Sequence, residues 1–289
     1  MAVVFLDMRL IPYLISFTLL FSLSGCTQFI FQPTKTHLIT PDRIGLTYKE
    51  INFKSLDQLQ LNGWWIPATG EAKATVLYLH GNAQNISNHL GNVYWLPKEN
   101  INLLIVDYRG YGHSAGHPSL PGSMMDIEAS LQQALALTGN TPLVVISHSL
   151  GASMAIYALA HSPNKTKLAG AIFAAPFSDY QQIAREAVAK VWLFWPFQYP
   201  LSWSINNDFA PINSVAQLAP LPLLFLHSPD DAIISPQHSE QLFANAGEPK
   251  QLKMVRGGHN ELFIPAKNRQ LILDTILRWS NKTPNPPNH

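Results

Sequence analysis

The chain has 289 residues, 47% of them hydrophobic and 13% charged, with 19 Lys and Arg against 18 Asp and Glu for a formal net charge of +1. That apolar content supports one large or two small domains with a buried core and excludes extended disorder. The balanced charge lacks the basic excess that neutralises phosphates, which excludes nucleic acid as the main partner, and Cys26 alone can form neither an internal disulfide nor a cysteine-built zinc site.

Residues Leu10–Leu23 form an apolar run after Arg9, followed by the small residues Ser24 and Gly25. A spanning helix needs about 20 apolar residues, so this shorter run fits the hydrophobic region of a secretory signal. The four residues Leu23-Ser24-Gly25-Cys26 resemble the lipobox of bacterial lipoproteins. The resemblance implies a signal peptide over 1–25, acylation of Cys26, and a membrane-anchored protein of the bacterial envelope. In the lipoprotein pattern an Asp after the cysteine favours the inner membrane; Thr27 stands there instead, which points to the outer membrane, facing the periplasm. An uncleaved anchor helix is the alternative, because Asp7 offsets Arg9 in a weak leader. Residues 26–42, with Pro33 and Pro41 and little periodicity, read as a tether.

The body, 43–289, opens with a hairpin expected over Gly45–Phe53 and Leu59–Ile66. Buried-type strands follow at Thr75–Leu79, Asn102–Val106, Leu143–Ser147, Ala169–Ala174, Leu221–Leu226 and Lys253–Arg256. Between and after them, helices are predicted at Ile86–Leu96, Gly122–Leu137, Leu150–His161, Tyr180–Ala189, Pro236–Ala246 and Ala266–Trp279. This alternation predicts an α/β fold with a mostly parallel central sheet and helices on both faces. Ligands in such sheets bind at the carboxyl ends of the strands.

At the end of the third parallel strand stands Ser147-His148-Ser149-Leu150-Gly151, running straight into an apolar helix. A serine on a sharp strand-to-helix turn is a nucleophile elbow, written GxSxG, here with Ser147 in place of the first glycine. With His80-Gly81-Asn82-Ala83, with Asp107-Tyr108-Arg109-Gly110-Tyr111-Gly112, and with Ser114, Gly116 and Pro118-Ser119, the chain resembles the α/β-hydrolase family in its Bem46-like branch over roughly 46–279. The resemblance implies the order serine, acid, histidine along the chain. Asp230 and Asp231 both follow a predicted strand, and the family pattern selects Asp231, five residues before Pro236. Turn chemistry beside Pro229 accounts for one aspartate without needing the other. Of eleven histidines, His259 alone follows the last predicted strand in a glycine-flanked loop.

Ser149 is thus the expected nucleophile, His259 its base and Asp231 the residue that orients the imidazole. The amides of Leu150, from the elbow, and Asn82, from the loop after the first parallel strand, are the expected oxyanion donors. His148 is expected to be structural or pocket-lining, and Asp107 and Arg109 to brace loops. An insertion at about 191–220 carries Trp192, Phe194, Trp195, Phe197, Tyr199 and Trp203. In this family such an insertion forms a cap, which implies an apolar ceiling suited to an acyl chain; packing onto the core or a membrane interface remains the alternative. The sequence contains no Walker, GxGxxG or HExxH pattern, so no cofactor or metal is expected. Three functions stay open: hydrolysis of acyl esters or thioesters, hydrolysis of amides by the same residues, or a non-catalytic envelope lipoprotein that uses the scaffold for binding a small or lipid-like acyl molecule.

Overall fold

The computed structural model describes residues 31–190, 196 and 198–281. The signal segment 1–25, Cys26, and the rings of Trp192, Phe194, Trp195 and Phe197 lie outside the described residues.

Eight strands form one sheet: β1 Lys49–Lys54, β2 Gln60–Ile66, β3 Ala74–Leu79, β4 Ile101–Asp107, β5 Leu143–His148, β6 Leu168–Ala174, β7 Leu223–His227 and β8 Lys250–Met254. Their order is β1-β2-β4-β3-β5-β6-β7-β8. β2 runs antiparallel to both neighbours, and β4, β3, β5, β6, β7 and β8 are parallel. The helices are α1 Ile86–His89, α2 Leu120–Leu137, α3 Leu150–His161, α4 Tyr180–Ala189, α5 Gln198–Trp203, α6 Gln237–Asn245 and α7 Ala266–Ser280. This is the α/β-hydrolase fold.

Period-two alternation divides the strand side chains between two cores. Leu77, Leu79, Val145, Phe173 and Phe225 join the core beneath α2, α3 and α6, while Val76, Tyr78, Ile146, Ile172 and Leu224 join the one beneath α7. All residues of β3, β5, β6 and β7 are buried, as expected of parallel strands covered on both faces. Each fully buried Leu, Ile or Phe there contributes roughly 1.5–3 kcal/mol. The edge strand β8 is mostly exposed and carries two lysines, which discourage pairing with another chain.

Three expectations change. The helix expected over 86–96 is only α1, a 3-10 turn at Leu90–Asn92 and another at Leu96–Glu99. Gly91 and Pro97 interrupt the periodicity, and Asn100 at φ +64° ends the segment. The last strand sits at Lys250–Met254 rather than 253–256, because its pairing with β7 begins at Leu223 opposite Lys250.

The stretch taken as a tether is docked from Phe31 onward. Phe31 packs edge-on against Tyr111, Pro33 bridges to Gln84, and Asn85 Nδ2 donates to the carbonyls of Thr34 and Thr36. His37 Nε2 then meets the buried Asp107 carboxylate at 2.8 Å. These contacts join residues some 50 to 80 positions apart, which local periodicity does not report.

Candidate active site

Three strand ends and the loops beyond them assemble the site. Ser149 leaves β5 with φ +54° and ψ −123°, a region that costs a non-glycine residue roughly 1–3 kcal/mol. The turn is fixed by Ser149 N–H donating to Ala174 O at 2.8 Å and by Ser153 N–H donating to Ser149 O at 3.0 Å. Gly151 is obligatory, since a Cβ there would lie 2.1 Å from His80 O and 2.7 Å from Leu79 O. The position two residues before the nucleophile is more tolerant: Ser147 is fully buried and its hydroxyl donates to Ile172 O.

His259 is carried by the Gly257-Gly258 loop, where Gly257 takes φ +111°. Its Nε2 lies 2.9 Å from Ser149 Oγ, and its Nδ1 lies 2.7 Å from Asp231 Oδ2. Asp231 follows β7 with its side chain buried. Its Oδ1 accepts the amides of Ile233 and Ile234 at 2.8 and 2.9 Å, and His227 Nε2 stands 3.3 Å from Oδ2. Burial pushes this carboxyl up, but hydrogen bonds from His227, His259 and the Ile234 amide outweigh it and hold the group well below the usual carboxylate range. Asp230 is exposed, and the His259 Nδ1 contact falls to Asp231 instead.

All three expected side chains therefore meet in one hydrogen-bonded line. A carboxylate that accepts from Nδ1–H leaves Nε2 free to take the hydroxyl proton, the arrangement that turns serine into a nucleophile. Asn82 and Leu150, the expected oxyanion donors, both line the same cavity as Ser149. The Asn82 side-chain oxygen is held by the amides of Gln32 and Ala83 and by Tyr111 OH, which fixes that loop. Leu150 begins α3, and the first amides of a helix have no acceptor within it.

The cavity holds about 500 Å³. Phe177, Tyr180, Ile183, Val188, Ile205 and Ile234 make its walls largely apolar, and Lys190 is the one charged side chain among its described lining residues. Lys190 Nζ donates to the carbonyls of Ala232 and Ile233. The cavity is lined by α4, which buries only Tyr180 fully and precedes the insertion expected at 191–220, while Val215 and Leu218 of that insertion are fully buried in the core. α4 is pinned to α6 by Glu186, whose carboxylate lies 3.2 Å from His238 Nε2.

His148 is structural, as expected: its Nε2 bonds His259 O and its ring packs against those of His259 and Phe263. Asp107 holds His37 and the Ile86 amide, and Arg109 holds Asp126 and Asp57, so both brace loops. Sequence reasoning missed His227, although its place four residues before Asp231 was a usable signal, and it missed Ile233 and Ile234 as amide donors. Among the described residues no cluster of His, Cys, Asp and Glu could hold a metal ion, and no helix is long and apolar enough to cross a membrane.

A family model described as serine aminopeptidase, S33, matches residues 70–211. The chain is 31% identical over 245 residues to the YfhR protein of Salmonella typhi, covering 80% of each. It is 30% identical over 227 residues to the α/β-hydrolase domain-containing protein WAV2 of Arabidopsis thaliana, covering 74% of this chain and 71% of that one. Protein bem46 of Schizosaccharomyces pombe is 25% identical over 266 residues, with 88% and 84% covered. Among solved structures, the Pyrococcus furiosus esterase Pf2001 superposes with a TM-score of 0.71 at 20% identity, over 87% of this chain and 98% of that one.

Proposed function

The chain belongs to the α/β-hydrolase family, in its Bem46-like branch, and is a serine hydrolase of that type; we propose that it cleaves acyl esters or thioesters through Ser149, His259 and Asp231 while anchored to a bacterial envelope membrane at Cys26. The observation that carries this reading is the hydrogen-bonded line Ser149–His259–Asp231, whose Ser149 lines an apolar cavity. His259 Nε2 takes the proton as Ser149 Oγ attacks the acyl carbon, and Asp231 stabilises the imidazolium that forms. The oxyanion is received by the amides of Leu150 and Asn82; one such donor is typically worth ~10² to 10³ in rate. His259 then protonates the leaving oxygen or sulfur, and afterwards activates the water that releases the acyl group from Ser149.

The lining favours an acyl chain over a free peptide amino terminus. An aminopeptidase needs a carboxylate to hold the substrate's ammonium group, and among the described residues lining this cavity the one charged side chain is the cation Lys190. The test is a fluorophosphonate probe on wild type and Ser149→Ala, followed by p-nitrophenyl esters of rising chain length. Labelling that depends on Ser149, with turnover peaking above acetate, is expected. Equal labelling of both proteins would misassign the nucleophile, and a peak at acetate would remove the acyl-chain preference.

A further inference from the structure

We propose that the mouth of the Ser149 cavity faces a phospholipid bilayer and that α5 dips into the bilayer interface, so that the acyl substrate is drawn from the lipid phase. The proposal rests on the hydrolase reading of Ser149, and it specifies which face of the molecule meets the membrane.

The first observation is an apolar rim at the cavity. On α5, Tyr199, Leu201 and Trp203 are 55%, 48% and 67% exposed. Ile205, two residues beyond Trp203, lines the cavity, as does Ile233, itself 52% exposed. Trp and Tyr are the residues that settle best at the boundary between headgroups and acyl chains. Beside them, the Arg185 guanidinium lies 5.9 Å from the Tyr199 ring centre, and the exposed Lys190 shares the cavity lining. Two cations next to an apolar rim complement anionic headgroups.

The second observation is where the amino-terminal segment docks on the body. Phe31 packs on Tyr111, and the next amide, Gln32 N–H, donates to Asn82 Oδ1 at 3.0 Å. Asn82 lines the cavity, so the amino-terminal segment meets the body beside the site. In the anchored reading proposed above, whether Cys26 is acylated or the run Leu10–Leu23 stays in the membrane, the bilayer holds the chain between Leu23 and Cys26. Even from Leu23, where the apolar run ends, a fully extended chain reaches Phe31 over only about 29 Å. A domain of this size has a radius of gyration of about 18 Å, so its far face lies more than about 36 Å from this one, and such a leash cannot turn that face to the membrane. Anchor and rim thus point to one surface.

The experiment uses the full chain in vesicles of phosphatidylglycerol and phosphatidylethanolamine with brominated acyl chains, which quench tryptophans that contact them. Wild type should be quenched more than W203F, the difference being Trp203 itself; equal quenching would overturn the proposal. On the same vesicles, L201E/W203E should cleave an embedded long-chain ester about ten-fold more slowly or worse, while turnover of water-soluble p-nitrophenyl butyrate stays at the wild-type rate. An unchanged rate on the embedded ester would also overturn it. If both rates fall together, the W203F comparison decides. If wild type cleaves neither ester, the hydrolase reading fails, and with it the lipid-phase substrate, while the quenching still reports whether this face meets the bilayer.

Discussion

His148 Nε2 lies 3.0 Å from the backbone carbonyl of His259, so the residue preceding Ser149 holds the backbone of the residue that bonds Ser149. A carbonyl only accepts, so Nε2 carries the proton and Nδ1 is a bare acceptor without a hydrogen-bond partner among the described residues. Burial, then the neighbouring rings of His259 and His89, push this imidazole down to about 3 and keep it neutral.

His148→Leu leaves that carbonyl without its donor, a loss worth ~1–3 kcal/mol, and should lower kcat about ten-fold with little change in KM. His148→Gln restores a donor and should recover most of the rate. Steady-state kinetics on a short ester compare the three proteins; equal rates for the Leu and Gln variants would remove the positioning role.

Asp231→Asn should keep the turn, because its remaining oxygen can still accept the amides of Ile233 and Ile234. The amide nitrogen would instead face His259 Nδ1 and favour the wrong tautomer, a change that costs about 10⁴ in kcat in a triad of this kind. Asp230→Asn, at an exposed position, should leave kcat/KM unchanged. Because the folded Asp231 carboxyl is depressed, its stabilising contribution is complete above the unfolded value of about 3.9 and is lost only as pH falls toward the lower folded value.

Acid sensitivity nearer neutrality has another source. His80, His89, His148 and His238 are all pushed down, burial being the largest cause in each. Unfolded, each titrates near 6.5, so below that pH the unfolded chain binds more protons and stability falls, by up to ~1.4 kcal/mol per pH unit for each group. Urea unfolding at pH 7.5 and 5.5 should show a lower midpoint at 5.5, and His89→Gln should narrow the gap.

Gly151→Ala places a methyl group against two strand-end carbonyls and should lower the melting temperature by several degrees or prevent folding. Ser147→Gly removes a single hydrogen bond of 3.3 Å and should cost about 1 kcal/mol or less with activity retained. Thermal melts with an activity assay distinguish the two glycine positions of the elbow.

The fold was legible because apolar strand runs and amphipathic helices carry their periods locally, as β3, β5 and β6 illustrate. Ser149 and His259 were legible because each sits just past a predicted strand, the position a parallel sheet reserves for chemistry, whereas Asp231 was separated from Asp230 only by the family resemblance. Hidden from the sequence were contacts set by distant partners: the docking of Phe31 and His37, the second histidine on Asp231, and the role of α4 as cavity lining rather than sheet cover. α4 has an ordinary helical pattern, and only the position of α5 shows what its apolar side faces.

The loop after β7 does two jobs with the same residues. Ile233 and Ile234 donate their amides to Asp231 and also present their side chains to the cavity. Insertions or deletions that reshape this bank would disturb the acid along with the wall. Variation in which acyl groups are accepted is therefore free to accumulate on the opposite bank, along α4 and at Ile205, and relatives with altered selectivity should diverge there while keeping the length of the 231–234 turn.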